Sequence, residues 1–227
     1  MTGSKAVLWD MDGTLVDSEE LHWIAWRDTM ANEGIVITRE QFLATFGQRN
    51  DSIIPAWLGS AATPERIERI GQAKEELYRN LVQRVGIASK PGVAAWLDRL
   101  NKDGWHQAVA SAAPRANVDA VLEALCVGRV FQGMVSAEDV KRGKPDPEVF
   151  LLAASRLGVP AARCIVVEDA DAGIEAARRA GMRSIGINHH GKDLQADVVV
   201  ESLDLLEPDA FDRLLNQRES GEAANLP

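Results

Sequence analysis

The chain has 227 residues, enough to bury a substantial core and too many for a single peptide-sized module. Its 34 acidic against 25 basic residues give a formal net charge of −9, and no Lys/Arg block is present to track a phosphate backbone, which argues against a nucleic-acid partner. No apolar run approaches the roughly 20 residues of a spanning helix, and the N-terminus moves straight into a strand pattern, so no membrane segment or signal peptide is expected and a cytoplasmic location is.

The first predicted strand, Ala6 to Trp9, runs directly into Asp10-Met11-Asp12-Gly13-Thr14. Side chains alternate along an extended chain, so Asp10 and Asp12 can face one pocket while Met11 faces away. Gly13 then permits a sharp turn. Paired carboxylates repel each other and any anionic substrate unless a cation sits between them, and oxygen ligands of this kind suit Mg²⁺. With such a metal, one Asp can attack phosphorus while the other carries a proton to or from the leaving oxygen. Asp-Gly is also an ordinary turn signal. A calcium loop does not fit, because counting from Asp10 places Leu15 and Leu21 where that loop needs Gly and Glu.

From about Ser18 to Ser89 no strand pattern occurs, and the segment reads as an inserted helical block. Asp17 as N-cap with Glu20 three residues on forms a capping-box pattern, followed by Leu21, Ile24 and Ala25 at helical spacing. Further helices are expected around Arg39 to Thr45, Ser52 to Leu58 and Pro64 to Val85. The chain leaves the block near Lys90-Pro91-Gly92, and two linkers joining the same two domains make a natural hinge. Strands are then expected at His106 to Ala110, Gly133 to Val135, Cys164 to Val167, Ser184 to Ile187 and Asp197 to Val200, with helices between them. Strand and helix in alternation imply a parallel sheet covered on both faces. Cys126 and Cys164 lie in apolar stretches without metal or disulfide spacing, and both are expected to be buried thiols. The polar stretch from Gln217 onward is expected to fray.

Parallel sheets place ligands beyond the carboxyl ends of their strands. After His106 to Ala110 comes Ser111-Ala112-Ala113-Pro114, a hydroxyl and backbone N–H groups leading into a helix, which suit a phosphate oxygen. After Cys164 to Val167 come Glu168 and Asp169, placed to supply a further metal ligand. Between them, Lys144 precedes Pro145 and is held short of the helix that follows, where its ammonium can offset incoming charge. Taken singly, Ser111 reads as a helix-start residue, Lys144 as a surface charge and Glu168-Asp169 as an acidic loop; their joint placement on one sheet edge favours chemistry.

Asp10-x-Asp12-Gly13-Thr14, Ser111, Lys144-Pro145 and Glu168-Asp169 stand in the order of the four motifs of the haloacid dehalogenase superfamily, and the chain resembles that superfamily over nearly its whole length. Asp12-Gly13-Thr14-Leu15-Val16-Asp17-Ser18-Glu19 and Glu168-Asp169-Ala170-Asp171-Ala172-Gly173-Ile174 are similar to the helical-cap branch of sugar-phosphate phosphatases and β-phosphoglucomutase. The fold this implies is α/β, a parallel-sheet Rossmann-like core domain (residues 1–17 and 90–227) with an inserted small all-helical cap (residues 18–89). The resemblance implies that Asp10 forms an aspartyl-phosphate, with Mg²⁺ held by Asp10, the Asp12 carbonyl and Asp169, and Glu168 supporting that shell from behind. It assigns Asp12 as general acid and then base, and Ser111, Ala112 and Lys144 as the phosphoryl-binding set. True dehalogenases of the superfamily lack the second Asp, so Asp12 points to phosphoryl chemistry on a small phosphate ester.

Water or a sugar hydroxyl as acceptor separates a phosphatase from a mutase. His22 stands twelve residues after Asp10, as does the cap His of β-phosphoglucomutases. Against the mutase, Phe46 occupies the place of their Lys, Gly47 to Arg49 is one residue shorter than their spacing, and Ala113 replaces a Ser, although Asn117 remains. Arg49 is the leading specificity candidate because a guanidinium can bind a phosphate or carboxylate bidentately. Trp26 and Asn50 are further possible substrate contacts, whereas Trp23 and Trp57 are expected to pack. The expected activity is a Mg²⁺-dependent phosphatase, with the mutase as alternative. A receiver-type regulatory module is a more distant alternative, because accepting phosphate alone requires neither a seventy-residue insertion nor Asp12.

Overall fold

The computed structural model describes residues 3–188, 191 and 193–222. At its centre β1 (Ala6–Trp9) is flanked by β2 (His106–Ala110) and β4 (Cys164–Glu168), and β3 (Gly133–Val135), β5 (Arg183–Ile187) and β6 (Val198–Val200) complete a six-stranded sheet in the order β3-β2-β1-β4-β5-β6. Every pairing is parallel, with Trp9 opposite both Val109 and Val167. This is an α/β Rossmann-like sheet, and the strand order reverses at β1, the place where such sheets bind ligands beyond their carboxyl ends.

The two-residue period of the strands divides the core. Val7, Trp9, Val109, Ile165 and Val167 point to one face, under α5 (Val93–Lys102), α6 (Arg115–Ala124) and α9 (Ala210–Glu222). Ala6, Leu8, Ala108, Ala110 and Val166 point to the other, under α7 (Glu148–Leu157) and α8 (Asp171–Arg179). Both faces are covered, so the strands are apolar throughout rather than alternating with polar residues.

Between β1 and α5 the chain forms α1 (Glu19–Asn32), α2 (Arg39–Leu43), α3 (Asn50–Leu58) and α4 (Pro64–Val85). These helices enclose a separate apolar cluster of Trp26, Met30, Phe42, Ile53, Ile54 and Ile70, against which Trp23 and Trp57 pack as expected. Each such fully buried side chain contributes about 1.5–3 kcal/mol relative to exposure, so the helices do not depend on the sheet for all their burial. The bases of α1 and α4 nonetheless join the sheet's core through Leu21, Ala25, Tyr78 and Val82. The outgoing and returning linkers pair with each other: Asp17 N–H donates to Ala88 O at 3.1 Å and Lys90 N–H to Leu15 O at 3.0 Å. None of the described helices is long and apolar enough to cross a membrane.

Two local expectations are corrected. The N-cap of α1 is Ser18 rather than Asp17, and no capping box forms there. A stronger acceptor competes, because the Ser18 hydroxyl donates to Asp12 Oδ1 at 2.6 Å, while Asp17 is left exposed beside Lys90. A complete capping box forms instead at Thr38 and Gln41, ahead of α2. Cys164 is buried, its thiol pushed up to about 12 by burial, but Cys126 is exposed. Cys126 follows the end of α6 with φ +57°, and its N–H and that of Val127 satisfy the last carbonyls of the helix. Val127 rather than Cys126 thereby turns inward, as helix C-termini of this kind require. At the C-terminus α9 persists to Glu222, and residues 223–227, part of the stretch expected to fray, lie outside the described residues.

Candidate active site

The carboxyl ends of β1, β2 and β4 meet around Asp10. Its Oδ1 accepts from Lys144 Nζ at 2.5 Å, and the same ammonium donates to Glu168 Oε1 at 2.6 Å. Glu168 Oε2 accepts the backbone N–H groups of Asp169 and Ala170 at 2.8 and 2.7 Å, so its carboxylate is held on both oxygens. Asp169 Oδ1 accepts from the Thr14 hydroxyl at 3.3 Å. The Ser111 hydroxyl accepts from Ala113 N–H at 3.0 Å, which fixes the turn after β2, and Ala112 lines the cavity described below.

Two glycines make this crowding possible. A Cβ at Gly173, in the first turn of α8, would overlap the Glu168 carboxylate, and one at Gly13 would overlap the Asp169 carboxylate. Gly13 also has φ +87°, where L side chains are strained. Gly13→Ala is therefore expected to destabilise the fold by at least about 1 kcal/mol and to push Asp169 away from Asp10. Urea unfolding reads the first effect, and wild-type stability would remove the steric account.

Asp10, Glu168 and Asp169 each place an oxygen within 4.8 Å of the others. Burial pushes Asp10 well above the usual carboxylate range, and Glu168 and Asp169 add to this against the pull of Lys144. Burial and the Glu168 charge likewise push Asp169 up to about 7. Two buried carboxylates and one half-buried, with a single ammonium, leave the site short of positive charge, and an all-oxygen donor set fits a hard divalent cation.

Asp12 is pushed the other way. Burial alone would raise its carboxyl, but the His22 imidazole and the Ser18 hydroxyl hold it below the usual range. His22 Nε2 lies 3.1 Å from Asp12 Oδ1, and the ring stacks on Tyr78 with centroids 3.9 Å apart. The Tyr78 hydroxyl is buried, and burial with the Asp12 and Glu75 charges keeps the phenol protonated. Two carboxylates two residues apart thus have opposite environments, the arrangement that separates acid and base roles in other enzymes.

A cavity of about 690 Å³ opens from Asp12 and His22 beneath the helices of the insertion, and Trp26, Asn50 and Arg49 line it. Arg49 bridges α3 to the sheet domain: Nε and Nη2 donate to Asp51, and Nη1 donates to Ala137 O at 3.3 Å. Gly143, beside Lys144, leaves room for the Arg49 stem, since a Cβ there would approach Arg49 Cδ to 2.9 Å. Asn117 lines the same cavity but is buried and already engaged. Its amide donates to Glu75 Oε2 at 2.5 Å and accepts from Arg79 Nη1 at 2.9 Å.

Sequence reasoning missed the α4 contribution, Lys74, Glu75, Tyr78 and Arg79. A signal was present, because Lys74 falls four residues after Ile70 and four before Tyr78 on the stripe that ends in Val82, and all four are buried. A Lys inside an apolar stripe is rarely buried without a partner, and here the partner is its own neighbour Glu75 at 2.9 Å.

The model of the haloacid dehalogenase-like hydrolase family matches residues 7–187. Among curated proteins, Protein CbbY of Rhodobacter capsulatus is 33% identical over 190 residues, covering 80% of this chain and 84% of its own length. The fructose-1-phosphate phosphatase YqaB of Escherichia coli K12 is 32% identical over 195 residues, covering 80% of this chain and 95% of its own length. Among solved structures, β-phosphoglucomutase of Clostridium difficile superposes with a TM-score of 0.86 at 26% identity, covering 96% of this chain and 99% of that one.

Proposed function

The chain belongs to the haloacid dehalogenase-like hydrolase family, and from that premise we propose that it is a Mg²⁺-dependent phosphatase of small phosphorylated sugars. The observation that carries this reading is the opposed treatment of Asp10 and Asp12, one among carboxylates and an ammonium, the other held by a hydroxyl and an imidazole at the mouth of a cavity. Asp10, the Asp12 carbonyl and Asp169 would hold the Mg²⁺, supported by Glu168. When bound, the cation supplies the missing positive charge beside the nucleophile and the transferring phosphoryl group.

Asp10 attacks phosphorus through a carboxylate oxygen, and the bond from phosphorus to the ester oxygen breaks. Asp12 gives its proton to the departing alkoxide, and an aspartyl-phosphate remains on Asp10. Asp12 then takes a proton from water, whose oxygen attacks the aspartyl-phosphate to release inorganic phosphate and restore Asp10. His22 and Ser18 favour the ionised Asp12 needed in the second half. The negative charge of an arriving phosphate ester raises its proton affinity for the first. Lys144 and the Ser111 loop hold the phosphoryl oxygens and offset their charge.

Incubation with Mg²⁺ and β-glucose 1-phosphate or fructose 1-phosphate is expected to release inorganic phosphate. The His22 contact to Asp12 favours a second reading, a phosphoglucomutase-type isomerase. Glucose 6-phosphate forming from β-glucose 1-phosphate without free phosphate would establish that reading instead.

The metal assignment predicts a pH-dependent stability. Burial and the Glu168 charge raise Asp169 to about 7 in the fold, whereas its carboxyl ionises at about 3.9 when unfolded. Between these values the folded state binds the extra proton, so the stability of the metal-free protein should fall as pH rises through the window. Mg²⁺ at about one hundred times its Kd should add about 2.7 kcal/mol. Because ligand carboxylates must be deprotonated, the Tm increase with Mg²⁺ should be larger at about pH 8 than at about pH 5. An equal shift at both pH values would contradict the assignment.

A further inference from the structure

The carboxylate cluster has an approach other than the substrate cavity. Asp10 and Glu168 are buried, whereas Asp169 is half-buried. Asp169 does not line the cavity of about 690 Å³ that holds Asp12 and His22. It lines a second one, of about 340 Å³, together with Gly13, Asp17 and Glu19. The consecutive residues Asp12 and Gly13 thus face different cavities. Among the described residues Phe46 alone lines both. Its ring packs edge-on against His22 and Phe42, with centroids 5.8 and 5.5 Å away, which holds it as a partition.

The second cavity suits a cation. It lies beside the paired linkers, where Lys90 stands 3.4 Å from Asp17, and Arg39 donates to Glu19 and Glu20 at 2.6 and 2.5 Å. Three carboxylates against two cations leave this wall net negative before Asp169 is counted. Asp17 and Glu20 are exposed and mark its mouth. At the inner end Gly13 contributes no side chain, where a Cβ would overlap the Asp169 carboxylate. The volume of about 340 Å³ is many times the about 30 Å³ that one water occupies, so Mg²⁺ can pass with the waters it keeps.

We propose that the divalent cation reaches Asp169, and leaves it, through this second cavity, by a route separate from that of the phosphate ester. The proposal rests on the metal assignment of the phosphatase reading and goes beyond it in giving metal and substrate different entrances. A substrate seated over Asp12 does not then bar the cation from its ligands, and the two bind in either order. Phe46 keeps the two routes apart.

Blocking a passage slows entry and exit by the same factor and leaves the equilibrium unchanged, whereas damage to a site changes the equilibrium. The test starts from Cys126→Asn, which removes the exposed thiol in favour of a residue that accepts its φ of +57°, while Cys164 is buried. In that protein Glu20→Cys is alkylated with N-cyclohexylmaleimide, which is bulky, or with iodoacetamide, which is small, and both products are uncharged. Mn²⁺ association with the metal-free protein and its release into EDTA are followed by stopped-flow tryptophan fluorescence, to which Trp9, next to Asp10, contributes. Relative to the small label, the bulky one is expected to slow both by about ten-fold or more with the Kd unchanged, within the one to three decades over which association rates vary among variants of one site. Asp17→Cys should respond in the same way. Glu76→Cys, on the exposed wall of the substrate cavity, should show no difference between the labels. Rates unchanged by the bulky label at both Asp17 and Glu20, slowing in one direction only, or equal slowing from Glu76 would overturn the proposal. Matched slowing of entry and exit, with no phosphate released from any ester by the wild-type protein, would leave the passage standing and remove the phosphatase reading. Phosphate release with rates unmoved by the labels at Asp17 and Glu20 would do the reverse.

Discussion

Asp10→Asn is expected to reduce turnover by about 10⁴-fold or more, because in the proposed mechanism it replaces the attacking carboxylate by a non-nucleophilic amide. The wild-type protein, quenched in acid during turnover, should carry a phosphoryl group on the peptide containing Asp10, and the variant should carry none. The same substitution should make the metal-free protein more stable. Asp10 is pushed well above the usual carboxylate range by burial and by the charges of Glu168 and Asp169, so its ionised form opposes folding at neutral pH, and an uncharged amide relieves that cost. Lys144 keeps Glu168 as a partner at 2.6 Å when Asp10 loses its charge. Loss of activity with a raised Tm separates this outcome from simple misfolding, and substantial residual turnover would end the covalent assignment.

Asp12→Asn is expected to act differently in the two halves of the reaction. With a sugar phosphate, formation of the aspartyl-phosphate should slow by about 10²–10⁴-fold, the usual contribution of a positioned proton donor. With p-nitrophenyl phosphate the phenolate leaves unprotonated, so the first half should proceed and the phosphorylated protein should accumulate, because no base remains to activate water. A pre-steady-state burst of p-nitrophenol followed by near-zero steady turnover is the signature. Equal loss of the first step on both esters would remove Asp12 from the proton-carrying role. This contrast tests the structural observation that Asp12, and not Asp10, is bonded to His22 and Ser18 at the cavity.

Much of the sheet domain was legible because its signals are local. Val7, Leu8 and Trp9 are apolar in succession, and all are fully buried in a parallel strand covered on both faces. Asp10, Ser111 and Asp169 each follow a strand directly, so topology carries them to one edge of the sheet without further information. Pro64 to Val85 was legible to the residue, since Thr63 caps it, Pro64 opens it and Gly86 closes it. The start of α1 was misread because a capping pattern scores only neighbours along the chain. The Ser18 hydroxyl instead found Asp12, an acceptor brought near by the turn at Gly13. Cys126 was misread because apolar neighbours do not reveal that a helix ends there in a left-handed turn.

The sequence by itself determined the order of the strands' functional residues and the chemical types gathered at the sheet edge, because those follow from strand ends, turn residues and alternation. Only the tertiary structure decided which charges meet. Lys144 divides its ammonium between Asp10 and Glu168, residues far apart in the chain. Arg49 joins Asp51 and the Ala137 carbonyl at the cavity wall, and Glu75 draws Asn50, Lys74 and Asn117 together beneath the helices of the insertion. The reason is that a buried charge must find partners within hydrogen-bond reach, and reach is set by packing across elements rather than by spacing along the chain.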